Sequence, residues 1–251
     1  MDTVLFFNIC HPPSEDSQQN KLSPFAPASR KKPCGFSLVE LMIAMLVGMV
    51  VLGSLYNLFT VQSKQLGNQE MAAEMQQNAR MAMDMMSREI RMAGYNPTAT
   101  LLPACAGTLP NSLTSTTCVG MLDASPSLIK FNMDTTDTPD STHIPDGATD
   151  GPNETITYGL YTSTAGGVSV QCLGRKTTGD SSYQPVVENI DSLTFTYLNS
   201  ADGTATTIGA IRSIQVTIVA KTAKIDPSYP ANGGYRTYTL TSRITPRNLA
   251  Y

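Results

Sequence analysis

The sequence contains very little histidine and no tryptophan. Only two of its 251 residues are histidine, and His143 is the only one outside the N-terminal region. A His-dependent triad, a multi-histidine zinc site or an H-E-x-x-H helix is therefore hard to build. The glycine pattern of a phosphate-binding loop is also missing. We expect no catalytic residues, no metal and no cofactor in this chain.

Charged residues are scarce as well, at 15% of the chain. The 17 basic and 20 acidic residues give a formal net charge of -3, and the basic residues form no stripe. A mildly acidic chain of this kind binds nucleic acid poorly, so no specific nucleic-acid partner is expected. The composition is instead rich in Thr, Ser, Gly and Pro, which is typical of exported β-rich domains.

One apolar segment, residues 36–61, carries a single charge, on Glu40. At helical rise it is about 39 Å long, enough to cross a hydrocarbon core of about 30 Å. The basic residues that directly precede it are Arg30, Lys31 and Lys32. Because its far side is less basic, the positive-inside rule keeps the N-terminus cytoplasmic and exports everything after the helix.

Two simpler interpretations of this apolar segment, a secretory signal peptide and an unprocessed membrane anchor, fit less well. A secretory signal peptide has a shorter apolar run followed by a small-x-small cleavage site, which this chain lacks. An unprocessed single-pass anchor fits the length but does not explain a carboxylate five residues into the run. A charge at bilayer depth costs on the order of 2.5 to 3.5 kcal/mol on insertion scales, so it usually has a partner or a task.

Residues 31–42 (KKPCGFSLVELM) resemble the class III signal of type IV prepilins. That signal has basic residues, a glycine, an aromatic residue and then a glutamate at the fifth position after the cut. The resemblance implies that a membrane-embedded prepilin peptidase cleaves between Gly35 and Phe36 and methylates the new N-terminus of Phe36. The leader of 35 residues is longer than usual, and Cys34 stands where small or polar residues are commoner.

The same resemblance implies a role in assembly for Glu40. Cleavage creates a cationic amine on Phe36 at membrane depth, and Glu40 is the only opposite charge nearby. In assembled pilins this carboxylate meets the amine of a neighbouring subunit. Such a pair attracts strongly in low dielectric, but desolvation offsets much of the gain, so we expect it to serve docking specificity above all.

A second, one-sided helical pattern follows the apolar segment. Apolar residues recur at steps of three and four as far as Ala93, and Gly94 and Asn96-Pro97 supply a stop signal. The many methionines here favour flexible core packing, because no His or Cys accompanies them. The predicted parts of the chain are a leader (1–35), a transmembrane assembly helix (36–61), an amphipathic helix (62–93) and an exported β-rich domain (94–251) with a variable loop (94–152).

Strand patterns follow in the exported domain. Within 214–218 apolar and polar residues alternate, as half-buried antiparallel strands require. The predicted strands are 128–133, 154–161, 167–173, 193–198, 211–220 and 235–245. We therefore expect an α+β fold in which the long N-terminal helix packs on an antiparallel sheet, the lollipop shape of pilins.

Three cysteines follow the predicted cleavage position, Cys105, Cys118 and Cys172. In an exported domain, one disulfide plus one free or intermolecular thiol is the simplest outcome. Cys105 and Cys118 close the shortest loop, although the pairing cannot be read from sequence.

An acidic stretch could in principle hold calcium, which takes several oxygen ligands. Its spacing does not match an EF-hand, so a solvated loop is the favoured interpretation. The acidic residues are Asp134, Asp137, Asp140, Asp146, Asp150 and Glu154.

The head resembles the PilW family of minor type IV pilins through residues 187–197, 211–221 and 243–248 (RITPRN). It resembles the J-type minor pseudopilin of type II secretion less closely. These resemblances imply a structural subunit in the bacterial inner membrane with a periplasmic head, later part of a pilus or pseudopilus at the cell surface. The implied partners are prepilin peptidase, other major and minor pilins, the membrane and the inner-membrane assembly platform. A tip-located adhesin, a DNA-uptake pilin and an anchored enzyme are the alternatives.

The first testable prediction concerns the mature N-terminus. In cells that contain prepilin peptidase, we expect mass spectrometry of the purified protein to find a chain that begins at N-methylated Phe36. In cells without the peptidase, the leader should remain attached. An uncut chain in the presence of the peptidase, or one that begins elsewhere, contradicts the prediction.

Overall fold

The computed structural model describes residues 35–97, 103–110, 118–135, 145, 147–165 and 167–249. The chain divides into two compact units, Met1–Leu55 and Tyr56–Tyr251. Several residues singled out above lie outside the described residues, namely Arg30, Lys31, Lys32, Cys34, Asp137, Asp140, His143 and Asp146.

A single helix, α1 (Leu38–Met92), carries both the apolar and the amphipathic pattern. Its end is determined by Gly94, whose φ of +80° favours glycine. A Cβ at this position would lie 2.7 Å from the backbone oxygen of Asn248, so the chain passes too close for any side chain. The expected stop signal therefore acts through both conformation and packing.

The second unit contains two antiparallel sheets rather than the single sheet expected. The first sheet follows chain order: β1 (Met121–Ala124), β2 (Leu128–Asn132), β3 (Thr155–Ala165), β4 (Val168–Thr177) and β5 (Gln184–Glu188). The second contains β6 (Ile190–Leu198), β7 (Ser213–Lys221) and β8 (Thr237–Ile244). Asn189, with φ of +61°, separates β5 from β6, and a left-handed residue there redirects the chain from one sheet into the other.

All six predicted strands are present, with shifted bounds, and two further strands were missed. β1 has only four residues and includes Asp123, so it carries too little pattern to be recognised. β5 contains Pro185, which argues against a central strand but is tolerated at the edge of the sheet, where β5 lies.

The core of the second unit lies under one face of α1. The helix residues buried there are Met75, Ala79, Ala82, Met83, Met86 and Ile90. They form one hydrophobic cluster with strand residues such as Tyr158, Leu173 and Val216. The α+β architecture, with a long helix packed on antiparallel strands, is confirmed.

A polar contact also attaches α1 to the first sheet. The Tyr158 hydroxyl donates to Glu89 Oε2 at 2.6 Å, and Arg175 Nη2 lies 3.0 Å from Glu89 Oε1. Burial, and then the nearby Glu89 carboxylate, raise the pKa of Tyr158 well above its usual value, so the hydroxyl keeps its proton and remains a donor. Glu89 thus has two partners, one on β3 and one on β4.

The methionines of α1 allow a matched test of the packing interpretation. Met86 is fully buried, whereas Met81 on the same helix is 49% exposed. Met86→Ala should lower the free energy of unfolding by about 2 to 5 kcal/mol, because it leaves a cavity in the core. Met81→Ala should change it by less than about 0.5 kcal/mol. Urea denaturation of the full chain in detergent micelles measures both, and equal effects would contradict the assignment.

Candidate processing and assembly site

The predicted cleavage position lies just before α1. Residues 35–37 are non-helical and exposed, and the first helical hydrogen bond runs from Leu41 N to Ser37 O at 3.1 Å. Phe36 is 85% exposed. The Gly35–Phe36 peptide bond is therefore outside the helix, and residues 35–37 are open to a peptidase.

No packing contact among the described residues explains why residue 35 is glycine. A Cβ built on Gly35 would meet no atom within 4 Å, and its φ does not lie in the left-handed region. Neither space nor backbone conformation requires glycine here. Recognition of Gly35 by a processing enzyme stays a prediction.

Glu40 lies in the first turn of α1 and is exposed. The partial positive charge of a helix N-terminus favours a carboxylate at this position. Within the described residues, no Lys or Arg lies in salt-bridge distance of Glu40, so its only electrostatic support is the helix itself. A full positive charge for Glu40 has to come from beyond the described part of the chain.

The apolar part of α1 is long enough to cross a membrane, and none of its most apolar stretch is buried within the chain. Its large side chains, from Leu38 to Val61, are each at least half exposed. Soluble monomers rarely expose an apolar surface this large, so the composition and exposure of the helix favour a membrane anchor.

Two family models match the chain. A model of the prokaryotic N-terminal methylation motif matches residues 30–56, which include every predicted processing residue. A model of prepilin peptidase-dependent protein B matches residues 68–245, more than two thirds of the chain. The chain belongs to the prepilin peptidase-dependent protein B family. Comparison with curated proteins and with solved structures gives no match.

Membership of the prepilin peptidase-dependent protein B family confirms that this is a type IV pilin-like protein. It supports processing by prepilin peptidase and, with the apolar helix, membrane anchoring. The family model that matches the head is that of prepilin peptidase-dependent protein B. The resemblance to PilW, suggested by residues 187–197, 211–221 and 243–248, stays a prediction.

The structure joins Cys105 and Cys118 in a disulfide, with Cα atoms 4.9 Å apart. Their neighbours Ala104 and Val119 form an isolated parallel bridge, so the disulfide lies beside paired backbone. Cys172 is a free thiol on β4 and is fully buried. An intermolecular disulfide through Cys172 would require β4 to open.

The expectation of a solvated acidic loop is wrong for Asp134 and Glu154, which are both fully buried. Their carboxylates accept backbone hydrogen bonds: Gly147 N donates to Asp134, and Thr135 N and Gly151 N donate to Glu154. These bonds replace the lost water, so the two acids order the surrounding loops. Among the described residues, no group of three or more His, Cys, Asp or Glu could hold a metal ion.

Sequence reasoning missed a polar cluster centred on Asp226, in the connection between β7 and β8. Asp226 is 4% exposed and accepts hydrogen bonds from Arg236 Nη2 at 2.8 Å and Ser228 Oγ at 2.8 Å. Asn68 Nδ2 of α1 donates to the same carboxylate at 3.2 Å. The Asp226-Pro227-Ser228 sequence, an Asx-turn signal, is the one clue in the sequence.

The Asp226 cluster predicts acid sensitivity. Hydrogen bonds from Arg236 and Ser228 lower the pKa of Asp226 to about 2, against about 3.9 for an unfolded chain. The folded state thus binds this proton less readily, so the stabilisation is complete above about pH 5 and is lost as the pH falls towards 2.

Urea denaturation at pH 5 and pH 2.5 should therefore show a smaller acid-induced loss of stability in Asp226→Asn than in the native chain. Asp84→Asn, at an exposed position on α1, is the control and should retain the full loss. Identical pH dependence in the native chain and Asp226→Asn contradicts the role given to this carboxylate.

Proposed function

We propose that this chain is a minor type IV pilin, a structural and non-enzymatic subunit that takes part in pilus assembly or initiation. The observation that carries the proposal is Glu40, exposed on an uncovered apolar helix one turn after an accessible Gly35–Phe36 bond. Each part has a use in filament assembly. Cleavage of the bond releases the leader, the apolar surface packs against other helices, and the carboxylate sets the axial position of one subunit against the next.

Cleavage supplies the charge that Glu40 lacks. It exposes the amine of Phe36, and methylation of that amine preserves its positive charge. Within one subunit this amine lies at the same end of the helix as Glu40, so an adjoining subunit displaced along the filament axis can offer its own amine to the carboxylate. Two charges that are costly in an apolar environment are then neutralised together.

The membrane anchor determines where we propose that the protein lies before and after assembly. The N-terminus lies in the cytoplasm and the head in the periplasm of a bacterial inner membrane, until the assembly platform transfers the subunit from lipid to filament. The apolar surface of α1 then exchanges lipid for the helices of other pilins. A minor pseudopilin of type II secretion would use the same chemistry, so the test must examine both kinds of fibre.

Glu40→Ala should leave membrane insertion intact but reduce incorporation into sheared fibres by about tenfold or more. Removal of one partner from a buried charge pair costs about 2 to 5 kcal/mol, whereas removal of an acid from an apolar helix does not impair insertion. Quantitative immunoblots of membrane and fibre fractions measure the two effects separately. Glu40→Gln, which keeps the size but not the charge, should behave like Glu40→Ala.

The matched control is Glu70→Ala, at an exposed position on the same helix, which should incorporate normally. Incorporation of Glu40→Ala at the native level would contradict the charge-pairing role. Absence of the native chain from both pilus and pseudopilus fractions would contradict the proposed function itself.

A further inference from the structure

The segment after β8 forms a cavity lined by three arginines. It has a volume of about 400 Å³ and is lined by Arg91, Arg243, Thr245, Pro246 and Arg247. Arg91 belongs to the last turn of α1 and Arg243 to β8, while Arg247 follows four residues later. Backbone pairing fixes the arrangement, because Arg247 N donates to Arg91 O at 3.1 Å.

Helix capping does not account for these arginines. The carbonyls of Ile90, Arg91 and Met92 at the end of α1 already accept backbone hydrogen bonds from Ala93, Arg247 and Tyr95. A guanidinium is therefore not needed to satisfy these acceptors. The arginine side chains remain available for another partner.

Internal ion pairing accounts for only one of the three. Arg243 pairs with Asp202 through Nη2 and donates from Nε to Ser213 Oγ. No carboxylate in the described part of the chain lies in salt-bridge distance of Arg91 or Arg247, and both residues are exposed. Two guanidiniums with their full donor capacity thus face one cavity.

The charge of the surrounding protein makes this cluster unusual. After residue 35 the chain has thirteen basic and seventeen acidic residues, a formal charge of -4. Three of those thirteen basic residues line this one cavity. Since Asp202 already pairs with Arg243, Arg91 and Arg247 supply the uncompensated positive charge, which makes the cavity locally attractive to an anion on a chain whose net charge is negative.

We propose that the Arg91–Arg243–Arg247 cavity binds the carboxylates of an acidic peptide segment on a partner protein. The planar guanidinium fork matches a carboxylate with two parallel hydrogen bonds. Nucleic acid fits less well, since three cations neutralise few phosphates and the net charge repels a long polyanion. In the described part of the chain, no aromatic residue lines the cavity for base stacking. If the proposed function holds, the partner is another exported subunit of the fibre.

The test uses the purified full chain in detergent micelles and a fluorescein-labelled hexaglutamate peptide as probe, read by fluorescence polarisation at low salt. The native chain should bind hexaglutamate but not hexaglutamine, and the affinity should fall as salt rises. In the double variant Arg91→Gln/Arg247→Gln, Kd should rise about tenfold or more, because hydrogen bonds to charged groups are lost.

The control is the double variant Arg80→Gln/Lys224→Gln, which removes the same two charges at exposed positions outside the cavity. Its Kd should stay close to the native value. Arg91→Lys/Arg247→Lys, which keeps the charge but loses the fork, should give an intermediate Kd. The single variant Arg247→Gln should also weaken binding, and it serves if the double variant fails to fold by circular dichroism.

Three results would overturn the proposal: no binding of hexaglutamate to the native chain, an equal loss in the control variant, or tighter binding of a single-stranded oligothymidylate than of the peptide. None of these results bears on Glu40. Failure of the arginine cavity and failure of the pilin assignment can therefore be told apart.

Discussion

One acid on an otherwise apolar, exposed helix is the constraint on which the rest of this structure depends. Glu40 has no cationic partner among the described residues, and the surface around it is suited to lipid. In lipid such a group is costly, unless a positive charge arrives in the same apolar environment. In the assembly proposed above, cleavage creates that charge four residues away, on Phe36, so removal of the leader and docking of subunits share one electrostatic basis.

The second unit, Tyr56–Tyr251, holds the C-terminal part of the same helix against its two sheets. The buried face from Met75 to Ile90 supplies the nonpolar contact, and polar contacts supplement it near both ends of the packed region. Asn68 bonds to the Asp226 cluster, and Glu89 bonds to Tyr158 and Arg175. Directional contacts of this kind resist sliding and rotation, to which a face of alanine and methionine offers little resistance.

The sequence predicted those features that arise from local pattern. The apolar run, the one-sided helix and the stop at Gly94 are periodic or conformational signals, and six of the eight strands were recognisable from the sequence. The prediction failed where the environment of a residue depends on partners far away in the sequence. Asp134 and Glu154 look like solvated loop acids until backbone N–H groups from other loops surround them.

The same limit explains what was missed at the candidate sites. Gly35, Phe36 and Glu40 lie within six residues of one another, so a short motif displays the whole processing site. Arg91 and Arg247 are 156 positions apart in the chain, and only the fold brings them to one cavity. The resemblance of the head to PilW stays a prediction, because it depends on three short segments that carry little information about family.

A division of roles follows from this contrast. In the proposed assembly, the pair between an N-terminal amine and a glutamate is available to every subunit processed in the same way. It can therefore set axial register but cannot select one pilin over another.

Selection then has to come from surfaces that differ between heads, and such a surface needs groups that the head's own fold leaves unsatisfied. Among the described residues, the cavity between the end of α1 and the segment after β8 meets this requirement. The last three carbonyls of α1 are occupied, two guanidiniums of the cavity have no carboxylate partner, and the charge of the cavity opposes the net charge of the chain. In the proposed assembly, partner choice and fibre register can change independently, because they depend on different residues in different parts of the chain.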